Sequence, residues 1–270
     1  MIKLIACDMD GTLLTSDKRL PAEIDAVLKA LEARGIVFAV ASGRQYASLR
    51  RDFEALAPHM LFICENGALI MHNEERLFLD PIAKADLPRI IEVSRTMQGV
   101  YPAICCADVA LLEETSPKHF LNAMQIHYQN TRIVPDLLEA CRGVEDACKV
   151  CFYSDGAAQE HSLPVLQGEL GDTLSIIHSD YNWVDVMKPG VNKGRALHAL
   201  YARLGVTPDE AMAFGDYLND YELLKNVTHS YAMANAHPQL KAIAAHIAPS
   251  NDENGVMRTI KETILTDESI

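Results

Sequence analysis

Three short apolar runs near the N-terminus each stop at a small polar cluster. Lys3 to Cys7 gives way to Asp8-Met9-Asp10-Gly11-Thr12, Ile36 to Ala41 to Ser42-Gly43-Arg44, and Met60 to Cys64 to Glu65-Asn66-Gly67. Continuous apolar runs of this length read as strands buried on both faces. Helical patterns separate them. One opens at Pro21, with Ile24, Val27, Leu28 and Leu31 on a single face and Gly35 as its stop; the other covers Tyr46 to Leu56. Strand, helix, strand, helix, strand predicts an α/β fold built on a parallel, doubly wound sheet.

The same grammar returns late in the chain. Lys193 to Leu204 reads as a helix closed by Gly205, and Ala211 to Phe214 as a strand ending in Gly215-Asp216. A helix follows from about Asp220, then a strand over Ser230 to Ala234 and a helix over Pro238 to Ala245. A short strand over Ile247 to Pro249 and a last helix from Gly255 to Leu265 complete the pattern. The middle differs. Helices over Pro88 to Met97 and Ala157 to Leu170 stand among strands at Ala103 to Ala107, Ala110 to Glu114, Ala147 to Tyr153, Leu174 to His178 and Trp183 to Met187. That mixture predicts an inserted α+β domain with an antiparallel sheet. The expected organisation is a discontinuous core, residues 1–81 and 189–270, with the insertion at 82–188.

The chain has 270 residues, enough for one large domain or two modest ones. Its formal charge of −13 argues against nucleic acid and anionic membranes as partners. No stretch reaches the ~18 apolar residues of a transmembrane helix, and the first apolar run ends too soon in Asp8 for a secretory signal. A cytoplasmic protein, monomeric or a small homo-oligomer, is the expectation. Seven cysteines, an odd number, fit a reducing compartment. Cys148 and Cys151 lie three apart in a predicted strand, on opposite faces, so they are expected to be buried thiols rather than a redox or zinc pair.

In an open parallel sheet, ligands bind beyond the carboxyl ends of the strands. Those ends carry Asp8 and Asp10, Ser42 and Arg44, Glu65 and Asn66, and Asp216 with Asn219 and Asp220; Lys193 starts the helix after the insertion. Carboxylates at Asp8, Asp10 and Asp216 suit a hard cation such as Mg²⁺, and no His/Cys cluster competes for a softer one. Ser42, Lys193 and backbone N–H groups of the Asp8 loop, Met9 included, suit a phosphate, which Gly11 and Gly43 would let approach closely. Plainer roles remain open at this stage. Asp10 also fits an Asp-Gly turn, and Ser42 and Asp220 fit helix caps. Arg44 is balanced between substrate and a solvated ion pair, and Glu65 and Asn66 between facing the insertion and an Asn-Gly turn. Lys118, His119 and Tyr128 carry no assignable role, and Lys188, before Pro189 near the expected hinge, is balanced between a structural role and a ligand role.

Asp8-Met9-Asp10-Gly11-Thr12, Ser42, Lys193 and Gly215-Asp216-Tyr217-Leu218-Asn219-Asp220 resemble, in order, the four motifs of the haloacid dehalogenase superfamily. A large α+β insertion between the second and third motifs is similar to a type IIB cap, as in Cof-type sugar phosphatases. Ser42-Gly43-Arg44, Glu65-Asn66-Gly67, Val191-Asn192-Lys193-Gly194 and Asn251-Asp252-Glu253-Asn254-Gly255-Val256 resemble the same subfamily. The resemblance implies a Rossmann-like core with a cap, and a Mg²⁺-dependent phosphatase acting on a small phosphorylated metabolite, either a sugar phosphate or a cofactor phosphate such as pyridoxal phosphate or FMN. It implies Asp8 as nucleophile and Asp10 as general acid and base, which also gives its backbone carbonyl to the metal. Asp216 is implied as a metal ligand, with Asp220 supporting the site from behind. Ser42, Gly43, Met9, Lys193 and Asn219 are implied at the phosphate. The alternatives are a hexose phosphomutase of the same superfamily and a catalytically silent phosphometabolite-binding protein.

Overall fold

The computed structural model describes residues 1–266. Along the chain, strand β1 (Leu4–Asp8) is wholly buried and leads through a polar loop into helix α1 (Ile24–Ala33). The four apolar residues picked out by spacing, Ile24, Val27, Leu28 and Leu31, form its buried face. Strand β2 (Val37–Ala41), helix α2 (Tyr46–Phe53) and strand β3 (Met60–Cys64) follow, with a 3₁₀ turn over Glu54–His59 finishing the predicted second helix. Two further strands, β4 (Leu69–His72) and β5 (Glu75–Leu79), were not foreseen. Asn73 and Glu74 link them with φ of 46° and 66°. Both central residues of the turn are therefore left-handed, the geometry usually announced by Asn-Gly, and Asn-Glu hid it.

The middle of the chain supplies α3 (Leu87–Ser94), β6 (Val100–Cys106), β7 (Ala110–Glu113), α4 (Lys118–His127), β8 (Thr131–Val134), α5 (Leu137–Ala140), β9 (Ala147–Ser154), α6 (Ser162–Leu170), β10 (Ser175–Asp180) and β11 (Trp183–Met187). Helix α6 starts later than expected because Pro164 is tolerated only in its first turn. Helices α4 and α5 and strand β8 are additions. Helix α4 buries only Phe120 and Met124, and β8 is largely exposed, so neither carries a strong apolar period. The last part of the chain gives α7 (Lys193–Leu204), β12 (Ala211–Gly215), α8 (Tyr221–Lys225), β13 (His229–Met233), α9 (Pro238–Ile243), β14 (His246–Ala248) and α10 (Gly255–Thr263).

These elements form two compact units. One comprises Met1–Gly43, Asp52–Phe78 and the chain from Asn192 onward; the other comprises Arg44–Arg51 and Leu79–Val191. The first holds an eight-stranded sheet in the order β14-β13-β12-β1-β2-β3-β4-β5. Pairing is parallel from β14 to β3, and β4 joins β3 antiparallel. The second holds a six-stranded sheet in the order β10-β11-β9-β6-β7-β8. It is antiparallel as expected except for β7 and β8, which run parallel. Helices α3, α5 and α6 bury one face of this sheet through Leu87, Ile90, Leu137 and Leu166, and α4 covers the other through Phe120 and Met124. Segment Arg44–Arg51 falls in the second unit, rather than outside 82–188, because the Gln45 and Ser48 side chains bond to backbone at Asn130 and His127. All seven cysteines are buried thiols outside any disulfide, Cys148 and Cys151 among them.

Helix α7 meets α8 so closely that a methyl on Gly194 would run into the Glu222 backbone carbonyl. Intrinsic propensity favours Ala over Gly by about 1 kcal/mol, whereas overpacking against rigid backbone costs about 1–3 kcal/mol. Gly194→Ala is expected to lower the urea midpoint. Gly168→Ala, at a place in α6 with open space around it, is expected to raise it. A rise in both would contradict the reading of the α7–α8 contact.

Candidate active site

The carboxyl end of β1 places Asp8 at the edge of the core sheet, 6% exposed. The adjacent strand β12 ends in Gly215 and delivers Asp216, and a 3₁₀ turn over Leu218–Asp220 folds Asp220 back beneath it. Oxygens of Asp8, Asp216 and Asp220 lie within 4.8 Å of one another. Like charges this close need a cation, and α7 supplies one. Asn192 caps that helix by accepting from the Arg195 N–H at 2.8 Å, which puts Lys193 at its first position. The Lys193 ammonium, 1% exposed, donates to Asp8 Oδ1 and, at 2.7 Å, to Asp220 Oδ1. The second oxygen of Asp220 accepts from the Asp216 and Tyr217 N–H groups at 3.1 and 3.3 Å. Asp220 therefore fixes both Lys193 and the loop that carries Asp216, so the capping role and the supporting role coincide.

Burial shapes the charges. It opposes the Lys193 ammonium, but Asp220 and Asp8 outweigh it and hold the amine above its ordinary range. Burial and then the negative charge of Asp220 push Asp8 up to about 8 and Asp216 up to about 6. Thr12 donates to Asp216 Oδ1 at 3.2 Å. Gly11, at φ +83°, passes so near that a methyl there would strike the Asp216 carboxylate. With Asp220 engaged on both oxygens, Asp8 and Asp216 are the carboxylates able to hold a cation. A cradle of hard oxygens, kept open by a missing Cβ, fits Mg²⁺.

The structure places the other expected residues as follows. Asp10 points its carboxylate at Lys18, 2.7 Å away and exposed, so its side chain is not in the acidic group; Lys18 carried no signal in the sequence. Met9 is buried, and its carbonyl accepts from the Leu13 and Leu14 N–H groups. Ser42 is buried, with its N–H on the Ile63 carbonyl and its carbonyl taking the Asn66 N–H, so the ends of β2 and β3 are tied together. Gly43 lies beside the Asn66 side chain. Glu65 is wholly buried, and it and Asn66 form a tight turn with φ of 48° and 55°. Asn219 is exposed. Arg44 belongs to the second unit. There Lys188 pairs with Asp80, and His119 with Asp155 at 2.7 Å.

Several residues that hold the site carried no assigned role. Thr12 lies inside the first motif, yet its hydroxyl was assigned nothing. Asn235 Nδ2 donates to the Gly11 carbonyl at 2.8 Å, and the His237 N–H to the Asp216 carbonyl at 2.8 Å. Asn251 donates to the Leu14 carbonyl at 2.9 Å, and Asp252 accepts from Ser16. The stretch Asn251 to Gly255 thus pins the loop that follows β1, a use no spacing rule reveals.

Removing Lys193 leaves three clustered carboxylates without their cation. Lys193→Met is expected to cost about 3–5 kcal/mol in urea unfolding at pH 7. Because the folded-state pKa of the amine is raised, its contribution is complete throughout neutral pH. The loss should shrink as pH falls from 8.5 to 5.5, the range over which Asp8 and then Asp216 take up protons. A loss below about 1 kcal/mol at pH 7 would show the pair to be no stronger than a surface bridge.

A model of haloacid dehalogenase-like hydrolases matches residues 5–260. The chain is 29% identical to the 5-amino-6-(5-phospho-D-ribitylamino)uracil phosphatase YbjI of Escherichia coli K12, over 97% of this chain and 96% of that one. It is 35% identical to the HMP-PP phosphatase of Serratia proteamaculans, over 90% and 88%. The crystal structure of SMU.1108c from Streptococcus mutans superposes with a TM-score of 0.84 at 29% identity, covering 98% of this chain and all of that one. With its four motifs in order, its acidic group at the strand ends and a family match across nearly its whole length, the chain belongs to the haloacid dehalogenase-like hydrolases, as a Cof-type phosphatase.

Proposed function

We propose that the chain hydrolyses phosphomonoesters of small metabolites, sugar phosphates or cofactor phosphates, with the first unit as catalytic core and the second as its cap. The observation that carries this reading is the buried Lys193 ammonium shared by Asp8 and Asp220 at the end of the parallel sheet. It keeps an otherwise repelled carboxylate in place as a nucleophile. Asp8 attacks phosphorus, the bond from phosphorus to the leaving oxygen breaks, and Asp10 gives that oxygen a proton. Water, giving its proton back to Asp10, then attacks the aspartyl-phosphate, and the bond to the Asp8 oxygen breaks. Ser42, Gly43, the Met9 N–H and Lys193 hold the phosphoryl oxygens, and Asn219 orients the phosphate or Lys193. To act, the Asp10 carboxylate must leave Lys18, a side-chain rotation at a half-exposed position.

Mg²⁺ held by Asp8, Asp216 and the Asp10 backbone carbonyl would supply positive charge against the phosphoryl oxygens. Asp220 supports that site through Lys193 and the Asp216 N–H. The wider acidity of the chain does not oppose an anionic substrate, because at this site the carboxylates are expected to be neutralised by a cation.

Asp8→Asn is expected to abolish phosphate release from every ester. Asp10→Asn should cut hydrolysis of alkyl phosphates by about 10²–10⁴-fold and that of p-nitrophenyl phosphate much less, since an acidic phenol leaves with little help. Equal losses for the two ester classes would remove Asp10 from its proton-transfer role.

Cation binding should depend on pH. Carboxyls whose folded pKa is raised contribute stability below the ordinary carboxylate range and lose it as pH climbs through about 6 and about 8. In EDTA, the melting temperature should therefore fall between pH 5.5 and 8.5. Added Mg²⁺ should raise it more at the higher pH, because metal and protons compete for the same oxygens. An equal Mg²⁺ shift at both pH values, measured by thermal unfolding without substrate, would contradict this cation site.

A further inference from the structure

A second patch of reactive side chains lies wholly within the second unit, on the sheet face that α4 covers. The pairing of β6, β9 and β11 sets it out. Cys105 on β6 stands opposite Lys149 on β9, and Cys151 on β9 stands opposite Asp185 on β11. Residues 149 and 151 of one strand share a face, so the four side chains form one block. Contacts within it run along the diagonals. Lys149 and Asp185 make an ion pair at 3.0 Å, and the Cys105 and Cys151 sulfurs lie 3.6 Å apart. Met124 of α4 packs onto them and brings its thioether sulfur to 3.9 Å from Cys151 Sγ. All five side chains are buried. The sulfurs of the other cysteines, Cys7, Cys64, Cys106, Cys141 and Cys148, each lie against a backbone carbonyl close by in sequence.

Thiolate and thioether sulfurs are soft donors, and they select soft cations such as Cu(I). The spacing fits such an ion. Metal–sulfur bonds of about 2.3 Å, set about 120° apart in a plane, separate their sulfurs by about 4.0 Å. The two contacts found here, 3.6 and 3.9 Å, are close to those edges. The donor count also discriminates. A structural Zn²⁺ site takes four ligands. Beside these three sulfurs stand an ammonium, which has no lone pair to give, and a carboxylate already held by that ammonium. Three soft donors suit a monovalent ion of low coordination number. The ion pair gains a use in this setting, since a buried pair is otherwise a poor stabiliser that apolar residues often replace without loss. Contact with Cys105, and then burial, hold the Cys151 thiol above its ordinary range, with Asp185 adding to that push and Lys149 opposing it. The Lys149 ammonium is thus the positive charge placed to offset a thiolate there.

We propose that Cys105, Cys151 and Met124 form a binding site for a soft monovalent cation, Cu(I), inside the second unit. The ion forms one bond to each cysteine sulfur and one to the thioether. The two S–H bonds break, both protons pass to solvent, and no electron changes hands. Helix α4 closes the site with two buried side chains, Phe120 and Met124. An element with so little buried apolar surface opens locally at small cost, which gives the ion its way in. No residue of the acidic group at the strand ends takes part, so the site stands apart from the phosphatase reading.

The test is an anaerobic titration of the full chain with Cu(I), in competition with the chromogenic chelator bathocuproine disulfonate. The unmodified protein is expected to take one ion per chain from the chelator, to gain a thiolate-to-copper absorption band in the near ultraviolet and to melt at a higher temperature. Loss of a mere outer partner costs about 10–100-fold in metal affinity, so loss of a ligand should cost more. Cys105→Ala and Cys151→Ala should each weaken binding by more than about a hundredfold. Met124→Leu, which keeps the volume, should weaken it at least about tenfold. Cys148→Ala, on the opposite face of β9, should leave it unchanged. Circular dichroism of each metal-free variant checks that it is folded, and the unmodified protein supplies a measurement that needs no variant. Uptake of no ion by the unmodified protein would overturn the proposal. So would an unchanged affinity in either cysteine variant or in Met124→Leu, or an equal loss in Cys148→Ala.

Discussion

A single buried ammonium organises the end of the parallel sheet. Lys193 sits at the first turn of its helix and bonds to Asp8 from one strand end and to Asp220 from the turn after another. The two strands, β1 and β12, are neighbours in the sheet, so parallel pairing brings their carboxyl ends together before any side chain acts. Packing then makes the arrangement strict. Gly194 allows α7 to approach α8, and Asp220 is held by two backbone N–H groups as well as by the lysine. A buried cation between carboxylates is costly to lose, because each remaining charge would be left in a medium that solvates it poorly.

The acidic balance of the chain takes a different meaning at this site. Three carboxylates within 4.8 Å oppose any anion unless cations intervene, and Lys193 offsets only part of their charge. The upward push on Asp8 and Asp216 expresses the remaining imbalance in physical terms. A hard divalent ion would complete the neutralisation and turn an acidic pocket into a receptor for phosphate. The remainder of the negative charge is spread over the molecule and is most simply a solubilising surface.

Much of the core was legible because its signals were of the strongest kind. Met60 to Cys64 and Lys193 to Leu204 appear with the boundaries their apolar runs and Gly205 indicate. Asp8 and Asp216 were marked by their places at strand ends, Lys193 by its place at the start of a helix and Asp220 by its place in the turn after a strand. What the sequence concealed has common physical causes. The β4–β5 hairpin turns on Asn-Glu in place of a glycine dipeptide. Helix α4 buries only two side chains, so its period is faint. The Asp10–Lys18 pair, the Asn235 and Asn251 bonds to the first loop and the Gln45 clamp on residues 127–130 are long-range or loop contacts, which no local pattern encodes. The segment Arg44–Arg51 illustrates the point: its sequence continues the core, but its side chains bond into the second unit.

The central claim is that Asp8, held by Lys193, takes the phosphoryl group onto its own carboxylate. Its most direct test is rapid acid quenching of the enzyme during turnover of p-nitrophenyl phosphate, followed by mass spectrometry of the peptide that contains Asp8. A phosphorylated Asp8 that forms and decays at rates consistent with turnover is expected. Phosphate release at full rate, with no phosphoryl group ever found on Asp8, would contradict it.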